Sequence, residues 1–166
     1  MLSEMTLLEV IRTIEDAAAM QPCVAMIVEN DVFRLNSYAD ARYGVFAWTQ
    51  GRHRVDPAQP DFIRYSFTFF YVDRLRNDIA NQVEIQSVGI ETIENILRIL
   101  RDRGLDPETY EFTMFNQRFA DECAGVFCSV VLLAEIGSDC AETADGGIYG
   151  PDGWDLVAPD VIVRHF

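Results

Sequence analysis

Few residues of this chain have the type and spacing that catalysis or ligation needs. An acidic, glycine-bearing stretch between Asp139 and Asp152 invites a calcium reading. With Gly146 at the obligatory glycine of an EF-hand loop, Asp145, Ile148 and Asp152 take usable positions. Ala141 then stands at the first ligand position, and no helical pattern flanks the loop. Zinc would draw on Cys123, Cys128 and Cys140 with His53 or His165. Cys123 and Cys128 are five positions apart, so they point to opposite faces of one strand if that strand continues through Gly125. Cys123 and Ser129 are nominal nucleophiles, but neither a Gly-x-Ser-x-Gly turn nor a phosphate-cradling glycine loop accompanies them. Asp121 and Glu122 are adjacent carboxylates, and adjacent residues of an extended segment point apart. Arg52, His53 and Arg54 could touch phosphate, although the rest of the chain is acidic. The expectation is therefore no catalytic residue, no metal and no cofactor.

Composition sets the frame for these groups. There are 166 residues with 27 acidic and 13 basic side chains, a formal charge of −14, and every basic side chain is arginine. Such a chain is repelled by the nucleic-acid backbone and by anionic membranes. An acidic lining would still suit a surface past which DNA must slide without sticking. The amino-terminal stretch carries Glu4, Glu9 and Arg12 among its apolar residues, which does not fit a secretory signal. The apolar runs of the chain, residues 130–134 among them, are too short to span a bilayer. The expectation is a soluble protein made in a cytoplasm, with its four cysteines reduced.

The elements that would position these residues read as one α+β domain over residues 1–136, followed by an extension over 137–166. Leu7, Val10, Ile11 and Ile14 recur at helical spacing within 6–19, with Ser3 or Thr6 as cap. Residues 23–29 form a short strand, 29–31 a turn, and 32–38 its hairpin partner; 43–49 form a third strand. Residues 50–61, with Gly51, Pro57 and Pro60, read as an exposed loop. Residues 62–72 are a long strand with Ile63, Tyr65, Phe67, Phe69 and Tyr71 on its core face. A long helix spans 78–103, with an apolar stripe through Ile79, Val83, Gln86, Ile90, Ile93, Leu97 and Leu100, and Gly104 closes it. Strands at 110–119 and 126–136 complete an antiparallel sheet with both helices on one side. In the extension, residues 160–166 alternate like a strand and suit a sheet edge.

Two segments carry a family resemblance. The first is residues 62–97, with Asp73-Arg74-Leu75, Asn81 and Ile85-Gln86-Ser87; the second is residues 115–132, with Arg118-Phe119-Ala120-Asp121 before Ala124-Gly125. Together with the order of elements, they resemble tail-terminator and tail-completion proteins of long-tailed bacteriophages, of the kind found in phages and prophages of Bacteroidetes-type hosts. The resemblance implies a non-enzymatic virion protein made in the host cytoplasm. Copies would form a homo-oligomeric ring, hexameric or of another size, at the tail–neck junction. Its partners would be the tail tube protein and a neck or connector protein, with DNA passing through the lumen and no membrane involved. The contact residues it implies are Arg52, His53 and Arg54 with Asp160, Val161, Ile162 and Val163 of the extension. Another head–tail joining protein is the nearest alternative, and a bacterial enzyme or small-ligand-binding module with no recognisable motif is the other.

Overall fold

The computed structural model describes residues 2–32, 34, 42–76, 81–118 and 122–136. The chain divides into two units, Met1–Glu135 and Ile136–Phe166. In chain order the elements are α1 (Leu7–Ala19), β1 (Met26–Val28), β2 (Val45–Gln50), β3 (Arg54–Asp56), β4 (Gln59–Arg74), α2 (Gln82–Asp102), β5 (Asp106–Arg118) and β6 (Glu122–Glu135). The architecture is α+β, with both helices on one side of a sheet ordered β1-β2-β4-β6-β5, and β3 also paired to β4.

Local chemistry explains the helices. Thr6 begins α1 with a capping box: its Oγ1 accepts from Glu9 N–H at 3.3 Å, and its own N–H donates to Glu9 Oε2 at 2.7 Å. Val10, Ile14, Ala17 and Ala18 are the buried face. α2 ends where Gly104 takes φ +89, a left-handed conformation that closes a helix at low cost. The buried stripe of α2 is Ile85, Gly89, Thr92, Ile93, Ile96, Leu97 and Leu100. Its carboxy-terminal half matches the sequence pattern, but its first turns do not. Val83 is 76% exposed, and Ile85 with Gly89 takes its place. The reason is steric. Gly89 has no side chain, so α2 approaches the sheet there, within reach of Val126 and Tyr71.

The long strand β4 is the spine. It pairs antiparallel with β2 on one edge and with β6 on the other, and β6 in turn pairs with β5. Tyr65, Phe67, Phe69 and Tyr71 all face the helices and are buried, as their alternation predicts. They pack with Phe46 and Trp48 of β2; Phe46 lies 5.4 Å from Phe69 and Trp48 6.1 Å from Phe67.

Three expectations about the sheet change. First, the sheet is mixed, because β1 runs parallel to β2. Asn30 does make a turn, with φ 62, but Val32 and Arg34 lie in a 3-10 turn instead of a returning strand. The rest of the expected hairpin partner at 32–38 lies outside the described residues. Second, most of 50–61 belongs to the sheet: β2 ends at Gln50, residues 51–53 lie outside the strands, β3 spans Arg54–Asp56, and a turn at Pro57-Ala58 leads into β4. Third, β5 starts at Asp106 and β6 at Glu122, both earlier than their apolar runs. The calcium candidate stretch, Asp121 and the strand expected at 160–166 lie outside the described residues.

Candidate interaction surface

The sheet face turned away from the helices gathers the polar and aromatic side chains that the core does not use. Register places them in rows that cross the strands. Thr49 pairs with Thr68, Thr68 with Ser129, and Ser129 with Glu111, so three hydroxyls and a carboxylate run across four strands. One row away, Phe70 pairs with Phe127. Phe70, Phe115 and Phe127 form an aromatic triangle with ring centroids 5.8 to 6.4 Å apart. All three are half-buried. Beyond them a small apolar cluster of Val28, Val32, Val45, Ala47, Val72 and Cys123 closes that end of the face.

At the opposite end lies a cross-strand ion pair. Arg64 Nε donates to Glu108 Oε2 at 2.9 Å, and Arg64 Nη2 donates to Glu108 Oε1 at 3.2 Å and to Gln59 Oε1 at 3.0 Å. The bidentate geometry suits guanidinium and carboxylate. Nη1 of Arg64 is buried with no hydrogen-bond partner among the described residues. Between this pair and the aromatic triangle, a concavity of about 410 Å³ is lined by Gly51, Ser66, Thr68, Thr109, Glu111 and Ser129. The face is buried at the end where Val45, Ala47, Val72 and Cys123 pack with Val28 and Val32; around the concavity Thr49, Ser66 and Thr68 are half-buried and Thr109, Glu111 and Ser129 are exposed.

The sequence-predicted contact residues fall as follows. Arg52 and Arg54 are exposed beside and on β3. His53 is not a free surface group. Its Nδ1 accepts from Ser66 N–H at 3.2 Å and its Nε2 lies 3.1 Å from Gln50 Oε1. Its ring meets Tyr65 and Phe67 with centroids at 5.3 and 5.6 Å. Asp160, Val161, Ile162 and Val163 lie outside the described residues.

The candidate catalytic groups do not converge. Cys123 and Cys128 sit on opposite faces of β6: Cys123 packs with the apolar cluster of the open face and Cys128 with the helix-side core. Burial, with Glu94 nearby, pushes the Cys128 thiol up to about 12, which makes it a poor nucleophile. Ser129 lies on the open face and His53 packs on the helix side, so His53 does not serve as base to its hydroxyl. Among the described residues no three His, Cys, Asp or Glu side chains are grouped to hold a metal. None of the described helices is long and apolar enough to cross a membrane.

Asn81, Arg74 and Leu75 of the family resemblance have structural work, while Phe119, Ala120 and Asp121 lie outside the described residues. Asn81 Oδ1 accepts from Arg76 N–H at 2.9 Å and its Nδ2 donates to Arg74 O at 3.3 Å, tying the end of β4 to the start of α2. Leu75 N–H donates to Glu122 O at 3.0 Å. No protein-family model matches this chain, and no curated protein sequence matches it. The His53–Ser66 contact and the Arg64–Glu108 pair have no local sequence signal, because each depends on strand register.

Proposed function

We propose that this chain is a non-enzymatic virion structural protein, a tail-terminator or tail-completion ring subunit at the tail–neck junction. The observation that carries the reading is the open sheet face. Its half-buried aromatic triangle, hydroxyl row and concavity offer area for packing, while the candidate nucleophiles and bases stand apart. Half-exposed aromatics flanked by polar residues are typical of contact surfaces. The sequence resemblance supplies the kind of assembly: a ring of identical subunits, contacting the tail tube protein and a neck or connector protein. Arg52 and Arg54 are exposed cations on an acidic subunit and serve as contacts to carboxylates of a neighbour.

The charge of −14 opposes association of identical subunits. Self-association therefore strengthens with salt, as screening shortens the reach of repulsion to about 10 Å at 0.1 M. Light scattering across a salt series, with electron microscopy of the largest species, tests this. Rings that grow with ionic strength are expected, and Ser129→Arg on the open face is expected to abolish them without unfolding the subunit. A protein that stays monomeric at high concentration in every salt, alone and with purified tail tube protein, would overturn the reading. Preferential binding to a connector protein over the tail tube would move the assignment to another head–tail joining role.

A further inference from the structure

The path of β2 into β3 contains an irregularity that the helix-side packing makes chemically specific. Gln50 pairs with Phe67, Gly51 N–H donates to Ser66 O at 2.8 Å, and Arg54 pairs with Arg64. Arg52 and His53 are therefore two residues opposite the single residue Tyr65, which is a β-bulge. At a bulge the ladder loses a bond. Here the N–H of Ser66 is satisfied by His53 Nδ1, at 3.2 Å, so an imidazole takes the place of a backbone carbonyl.

We propose that His53 is a protonation-sensitive latch: the neutral ring closes the strand pairing at Ser66, and a proton on Nδ1 opens it. This goes beyond the assembly role and does not depend on it. Nδ1 accepts only when it carries no proton. The neutral ring must then carry its proton on Nε2, and Nε2 faces Gln50 Oε1 at 3.1 Å, an acceptor. Both contacts select the same tautomer. Tyr65 and Phe67 pack edge-on or tilted against the ring and hold it in place. A proton on Nδ1 sets one donor against another at Ser66 and leaves the Gln50 contact intact, so the disruption is local.

The charged groups around the latch are Arg52 and Arg54 on its own segment, Arg64 on β4, and Glu9 and Glu15 on α1. Glu15 accepts from Trp48 Nε1 at 3.0 Å. Tyr65 stays neutral, because burial, helped by Glu9, raises its pKa, and its hydroxyl donates to Met5 O at 3.0 Å. Burial lowers the His53 pKa from its ordinary value of 6.5. The unfolded segment therefore binds the proton more tightly than the closed one. Closure is complete above 6.5 and is lost progressively as pH falls below it. β3 is three residues long and fully exposed, so little else holds the hairpin tip once the latch opens. Opening frees Arg52 and Arg54 to move.

Nuclear magnetic resonance on the whole chain tests the latch. The nitrogen shifts of His53 at pH 8 should show an unprotonated Nδ1 and a protonated Nε2. The exchange protection of the Ser66 amide, corrected for intrinsic exchange, should fall about tenfold between pH 8 and pH 5, the equivalent of one hydrogen bond. The amide of Phe69, deep in the same strand, should not change over that range. In His53→Gln, whose side chain accepts without titrating, Ser66 protection should not depend on pH. A proton on Nδ1 at pH 8, or Ser66 protection equal at both pH values in the parent chain, would overturn the latch even if the glutamine variant fails to fold.

Discussion

Gly89→Ala pits two opposite effects against each other at a position where distances decide the winner. In a helix interior, alanine is better than glycine by about 0.8–1 kcal/mol. A methyl built on Gly89, however, would stand 2.5 Å from Val126 Cγ1 and 3.0 Å from Tyr71 Cδ1. Neither neighbour can retreat easily. Val126 is fully buried on β6, which is paired on both edges, and Tyr71 is 2% exposed on β4. Overpacking of this kind costs about 1–3 kcal/mol, and two close contacts place this site toward the upper end. The expected net loss is about 1–2 kcal/mol, the difference between the packing cost and the propensity gain. That corresponds to a fall in Tm of about 2–8 °C for a domain of this size. Urea unfolding followed by circular dichroism gives the number. Val126→Ala alone should cost about 2 kcal/mol, because it removes buried methyl groups and leaves a cavity. In the double variant the new methyl occupies the space that Val126 vacates. The pair should then be no less stable than Val126→Ala alone, a coupling of about 1–2 kcal/mol. A single Gly89→Ala variant that is more stable than the parent, or losses that simply add, would refute this packing of α2 on the sheet.

Other consequences are open to equally direct measurement. Ile93→Ala and Leu97→Ala, at positions 0% and 2% exposed, should each cost about 2–5 kcal/mol in urea unfolding. Val83→Ala, at a site 76% exposed, should stay within about 0.5 kcal/mol of the parent. A thiol reagent applied to the native protein should label Cys23, which is exposed, well before Cys123 and Cys128, which are buried. The Cys128 thiol, held up to about 12, should react only on unfolding, so mass spectrometry should find it unlabelled through pH 9. Thr6→Ala removes the capping box of α1 and should cost about 1 kcal/mol, read by thermal unfolding.

Much of the fold was legible because one property repeats at a fixed period. The alternation from Ile63 to Tyr71 identifies the core face of β4 without help from the rest of the chain, and the helical spacing of Leu7, Val10, Ile11 and Ile14 identifies α1, with Thr6, one of the two candidate caps, at its start. Reading failed where geometry depends on a distant partner. Val83 looked like part of the α2 stripe because apolar residues were counted, yet the face that packs is set by closest approach at Gly89, a residue that carries no hydropathy signal. Gly51, Pro57 and Pro60 suggested a loop over 50–61. In fact Gly51 precedes a bulge, Pro57 makes the turn, and Pro60 opens β4 near its end, where a strand tolerates proline. The parallel placement of β1 could not be read from a three-residue strand. The pairing of Arg64 with Glu108 bridges 44 positions and follows only from strand register.

The distribution of polar groups bears on what kind of surface the sheet presents. An enzyme cleft needs titratable groups brought within a few ångströms of one reacting atom. The open face instead spreads its groups by strand register, with Thr49, Thr68, Ser129 and Glu111 on four successive strands and the aromatic triangle alongside. A sheet imposes that spacing of about 4.8 Å between neighbours along each row. Such rows match another extended or flat surface better than they match a small substrate. The helix side, by contrast, devotes its aromatic residues to the core and uses its one described histidine to repair a backbone bond. Among the described residues, polar groups thus either join strands or lie in rows set by strand register, so the assembly proposed above is the property to measure first.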